Sequence, residues 1–127
     1  VVIIVARKKE KDFKYYRKDI VKKMGAVGTY NKSFDHIIDV YSNMLLEYNQ
    51  MLEKFTLNGS EYTIEYTNKS GATNYIKSPE YLIIEKLRVD IISYSRELGL
   101  SPSGLKKIKD DTADKKVSKL DQALKDV

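Results

Sequence analysis

Cysteine and tryptophan are absent from these 127 residues, and histidine occurs once, at His36. Without cysteine there can be no disulfide, no thiolate nucleophile and no thiolate metal site. One imidazole rules out a histidine-pair metal site, and His36, beside Asp35 in a first helical turn, reads as a surface residue. Only two prolines and six glycines are present, so the chain has few natural breaks. The longest apolar run, Val1 to Ala6, is too short to span a bilayer. No membrane association is therefore expected. The opening on Val1 rather than methionine leads us to expect further residues upstream.

Phosphate cradles and paired acids are missing too. Asn68-Lys69-Ser70-Gly71 lacks the glycine spacing of a phosphate loop, and Asp39, Glu47 and Glu53 do not pair on one helix face. The expected catalytic, metal and cofactor inventory is empty, which argues against an enzyme.

What is present is charge segregation and helical periodicity. Residues 1–30 carry nine Lys or Arg against three acids, residues 31–105 seven against ten, and residues 106–127 seven against five. A cationic N-terminal third points to a polyanionic partner or to a lysine-rich solvent face. Between Lys8 and Met24, Phe13, Tyr16, Ile20 and Met24 recur at helical spacing, with Val27 continuing the row. Arg7, Lys11, Lys14, Lys18 and Lys22 follow the same spacing on another face, with Lys8 and Arg17 at its margin. Such a row can neutralise several DNA phosphates without reading sequence.

The next stripe is the longest. Ser33 is read as its start, and Phe34, Ile37, Tyr41, Leu45, Tyr48 and Phe55 run along one side. A strip of this length suits a helical hairpin or an oligomer interface. From Glu61 to Ile76 the period shortens to two around an Asn68–Gly71 turn, which predicts a β-hairpin. Two strands alone are marginal in water, so the hairpin should lie on the helices or join hairpins of neighbouring subunits. Ser78-Pro79 then opens a helix carrying Tyr81, Ile84, Ile91 and Leu98. Leu82, Ile83 and Ile92 widen its apolar face, so cover on more than one side is expected. Gly99 closes it, and Ser101-Pro102 starts a short helix to Ile108.

The sequence thus predicts a mainly α fold, with a hairpin of long helices, a small central β-hairpin and a short C-terminal helix. It carries more apolar stripe than one copy comfortably buries, which implies self-association. Residues 1–108 form one helical oligomerisation and DNA-binding domain, with helices over 8–24, 33–55, 79–98 and 102–108 and the β-hairpin over 61–76. Residues 109–127 are a polar linker and an amphipathic tail. Val1 to Val5 reads as a short strand or as an arm packing on a neighbour.

The long helix with its Ser-Pro start, closed by the corner Leu98-Gly99-Leu100-Ser101-Pro102-Ser103, resembles the small subunit of a phage terminase. The resemblance is firmest over residues 74–108 and reaches back to the helix around Tyr41 and Tyr48. It implies a small helical protein that forms rings, with eight to ten copies expected. Such a protein engages double-stranded viral DNA in the host cytoplasm. It regulates the ATPase and nuclease of the large subunit without catalysis or cofactor. It further implies packing or intersubunit roles for Tyr41, Tyr48, Tyr81, Leu98 and Leu100. The tail, with Val117, Leu120 and Leu124, would be offered to the large subunit. The central hairpin departs from the family pattern, being longer and richer in Tyr and Thr. A dimeric helix-turn-helix regulator and an oligomeric adaptor without DNA binding stay open as alternatives.

Overall fold

A computed structural model describes residues 10–125. The expectations for Val1–Val5, Arg7 and Lys8 fall outside them.

The first helix, α1, spans Phe13–Val27. It starts later than the predicted Lys8 because Asp12 is its cap, accepting the Tyr15 N–H at 2.9 Å. It runs past Gly25 and stops at Gly28, which takes the left-handed conformation with φ 79°. Tyr16, Ile20 and Met24, spaced by four, are its buried face.

A turn of 3-10 helix, Lys32–Phe34, leads into α2, Asp35–Leu57. The predicted Ser33 cap is replaced by Asn31, whose side chain accepts both the N–H and the hydroxyl of Ser33. Within α2 the face turned inward carries Ile38, Tyr41, Ser42 and Phe55. Phe34 stays 40% exposed because it precedes the α-helical register. Ser42 is fully buried at no hydrogen-bonding cost, since its hydroxyl donates to the Ile38 carbonyl at 2.7 Å.

Strands β1 (Thr63–Thr67) and β2 (Thr73–Lys77) form an antiparallel hairpin with Ile64 opposite Ile76 and Tyr66 opposite Asn74. Asn68 shapes the turn by accepting from the N–H groups of Ser70 and Ala72, each at 3.0 Å. The hairpin meets the helices at its base. Tyr62 stands edge-on to Tyr81 at 4.9 Å and beside Phe55 at 5.6 Å.

Helix α3, Pro79–Glu97, is capped by Ser78, which accepts the Tyr81 N–H. Its contacts with α2 run antiparallel: Phe55 meets Tyr81, Tyr48 accepts from Arg88, and Tyr41 shares the core with Leu98. That core is Ile20, Met24, Ile38, Tyr41 and Leu98, with Val21, Ile37, Leu45, Ile91, Tyr94 and Leu100 packed around it. Each aliphatic side chain so buried stabilises the fold by roughly 1.5–3 kcal/mol. The corner follows. Gly99 adopts φ 71°, and the Leu100 N–H returns to the Ser95 carbonyl at 2.8 Å. Across the molecule the Thr29 hydroxyl donates to the Leu98 carbonyl at 3.0 Å.

The last element corrects the sequence reading. Instead of a short helix to residue 108 followed by a polar linker, α4 is continuous over Pro102–Lys125. Lys109–Asp114 holds neither glycine nor proline, and Thr112 bonds back to the Ile108 carbonyl at 2.9 Å. Its charge reflects full solvent exposure, not irregular backbone. Gly104 is buried where α4 crosses α3, and a Cβ there would lie 2.3 Å from the Arg96 carbonyl oxygen.

Candidate nucleic-acid and assembly surfaces

Burying Tyr16, Ile20 and Met24 turns the opposite side of α1 to water. Lys14, Lys18 and Lys22 stand there, exposed and four residues apart. Each step rises about 6 Å, so the row extends over about 12 Å. None of the three makes an ion pair among the described residues. Lys11 precedes the helix, with its Nζ 5.2 Å above the Tyr15 ring.

Arg17, placed at the margin of the row by its spacing, is engaged within the protomer. Its Nε donates to Asp39 at 2.7 Å and its Nη2 lies 3.3 Å from Asp35. The hydrogen bond to Asp39 holds the guanidinium above its ordinary pKa. The buried Oδ1 of Asp35 receives no well-aligned hydrogen bond, so Arg17 compensates it by proximity of charge alone. Arg17 thus ties α1 to the start of α2. Lys23 is similarly occupied by Asp19 at 2.8 Å, a bond that raises its pKa. Lys11, Lys14, Lys18 and Lys22 are the expected DNA contacts that the structure leaves facing solvent.

The expected packing residues divide by depth. Tyr41, Ile84 and Leu98 are buried; Ile37, Leu45, Tyr48, Tyr81, Ile91 and Leu100 are half-buried; Phe34 is exposed. Burial of Tyr41 pushes its phenol above the ordinary value. The apolar surface left uncovered lies elsewhere. On α3, Leu82, Ile83, Val89 and Ile92 are exposed, and the hairpin exposes Tyr62, Tyr66, Tyr75 and Ile76. On α4 the row Val117, Leu120 and Leu124 is more than half exposed. The widened apolar face of α3 was legible in the sequence; Val89 was not singled out because it sits among charged neighbours.

A groove of about 690 Å³ lies between α1, α2 and the corner, walled by Ile20, Val27, Tyr41, Leu45, Leu100 and Leu105. Its lining is mainly apolar, with Asp19, Lys23, Ser95 and Ser101 also on the wall, and the two charged side chains there are paired with each other at 2.8 Å. Among the described residues no three His, Asp or Glu side chains are grouped to hold a metal ion, and no helix is long and apolar enough to cross a membrane.

Comparison with curated proteins and with solved structures returned no match. The model of the family described as phage terminase, small subunit, matches residues 14–115, from the cationic row of α1 through the corner and into the exposed half of α4. With so much of the chain matched, this protein belongs to the phage terminase small-subunit family.

Proposed function

We propose that this chain is the DNA-engaging component of a phage packaging motor, acting as a ring of eight to ten copies in the host cytoplasm. It holds double-stranded viral DNA against the large terminase subunit and regulates that subunit's ATPase and nuclease. It performs no chemistry itself and uses no cofactor. Family membership supplies the packaging context. The observation that carries the DNA-binding reading is the row Lys14, Lys18 and Lys22, exposed and without ionic partners among the described residues, with Lys11 at its end. Individually weak phosphate contacts become effective when symmetry repeats them around an assembly. The exposed apolar residues of α3 supply surface for that assembly, and the Val117–Leu124 row of α4 is offered to the large subunit.

The test is the triple variant Lys11→Glu, Lys14→Glu, Lys18→Glu, with duplex DNA binding followed by fluorescence anisotropy across a salt series. Loss of at least about a hundredfold in affinity is expected, with the steep salt dependence of the wild type flattened. Light scattering on the same samples should show unchanged mass. Undiminished DNA affinity in the triple variant refutes the assignment of this row. A wild-type mass of two chains refutes the ring and favours the helix-turn-helix regulator.

A further inference from the structure

The β-hairpin is an incomplete sheet. Beyond its base at Tyr62 it makes no extensive contact with the helices, and nine of its ten strand residues are exposed. Such a unit is marginal in water by itself.

Its hydrogen-bond phase shows which backbone groups lack partners. The Ser78 N–H donates to the Tyr62 carbonyl at 2.8 Å, and the Asn68 N–H to the Ala72 carbonyl at 3.0 Å. In an antiparallel pair bonded positions alternate, so 64/76 and 66/74 also bond inward. The backbone N–H and C=O groups of Thr63, Glu65 and Thr67 then point out along one edge. Those of Thr73, Tyr75 and Lys77 point out along the other. Both edges are open templates for strand addition.

The edges are also oppositely charged. Residues 61–67 contain Glu61 and Glu65 and no cation, while residues 68–77 contain Lys69 and Lys77 and no acid. Glu61 and Glu65 have no ionic partner among the described residues. Lys77 contacts Glu85 at 3.1 Å, but both side chains are more than a third exposed, so exchange for a new partner costs little. Two-fold pairing would set β1 against β1 or β2 against β2, acid on acid or base on base. Head-to-tail pairing sets the acidic edge of one copy against the basic edge of the next. It preserves antiparallel order in a cyclic assembly and places no like charges across the junction.

We propose that the hairpin is an intersubunit element whose β1 edge adds to the β2 edge of the hairpin in a second copy of this chain, continuing head to tail. The Tyr62, Ile64, Tyr66 and Ile76 side chains then form one continuous apolar face from copy to copy. This rests on the ring reading above and gives it a specific junction.

Three chains test it by light scattering at moderate salt: Glu61→Lys/Glu65→Lys, Lys69→Glu/Lys77→Glu, and Tyr75→Pro. The proline removes one outward N–H and none that the hairpin itself uses. Each variant alone is expected to need about tenfold or more protein to reach the wild-type mass. Mixing the two charge-reversed chains in equal amounts should restore it, because each then meets an edge of opposite sign. A Tyr75→Pro chain that assembles like the wild type overturns the inference, whatever the charge variants do. A wild-type protein that is itself monomeric refutes the ring reading instead.

Discussion

Replacing Gly104 by alanine sets two effects of opposite sign against each other. Gly104 is the third residue of α4, and alanine is favoured over glycine in a helix by about 1 kcal/mol. Propensity alone therefore expects a more stable protein. The crossing with α3 argues the reverse. The added Cβ would meet the Arg96 carbonyl oxygen at 2.3 Å, Cα at 2.8 Å and carbonyl carbon at 2.9 Å. These are backbone atoms of an intact helix and cannot swing aside as a side-chain tip does. Relief requires α4 to move away from α3. Overpacking of this kind costs about 1–3 kcal/mol and occasionally more. With three backbone atoms in conflict, the upper part of that range applies, leaving a net loss of about 1–2 kcal/mol after the propensity gain. In urea this lowers the midpoint by about 0.5–1 M. The assay is denaturation followed by far-UV circular dichroism at one fixed protein concentration, because self-association would otherwise contribute to the midpoint. A midpoint equal to or above the wild type would show that α4 does not cross α3 at this distance, and the packing at the corner would have to be redrawn.

Two further substitutions probe the same region. Thr29→Val keeps the shape but removes the hydroxyl that donates to the Leu98 carbonyl at 3.0 Å. A loss of about 1 kcal/mol, or about 3–5 °C in thermal midpoint, is expected, and an unchanged midpoint would show the bond to contribute nothing. Tyr41→Phe tests alkaline stability. Burial raises the Tyr41 pKa above its ordinary value of 10.0, so its contribution is complete below about pH 10 and declines as pH climbs through the folded-state pKa. The thermal midpoint of the phenylalanine variant should therefore fall less steeply between pH 9 and pH 11, and parallel pH profiles would contradict the assignment.

Much of the fold was legible because its signals are local. The Ser78-Pro79 start, the Gly99 stop and the alternation around Asn68–Gly71 each act within about four residues, and the structure places a cap, a left-handed glycine and a turn there. The errors were also local in origin. Ser33 reads as the start of α2 from its residue type, yet the cap is Asn31, a residue equally suited to capping, and only the observed hydrogen bonds identify it. Polarity alone makes Lys109–Asp114 read as a linker, although a fully solvated helix has the same composition.

By itself, the sequence determined that the protein is built mainly from amphipathic helices, that a β-hairpin interrupts them, and that cysteine chemistry is impossible. It also placed lysines at four-residue spacing on α1, which a helix must turn to one side. Tertiary structure alone decided which of those charges face solvent. Lys14 lies in the cationic row and Arg17 at its margin, yet Arg17 meets Asp39 twenty-two residues away while Lys14 has no ion pair among the described residues. It likewise decided that Ile38 and Ser42 are buried and Phe34 is not, and that Gly104 lies against the backbone of α3. Helical periodicity sets which residues share a face; which face is covered, and how closely, depends on how distant helices dock.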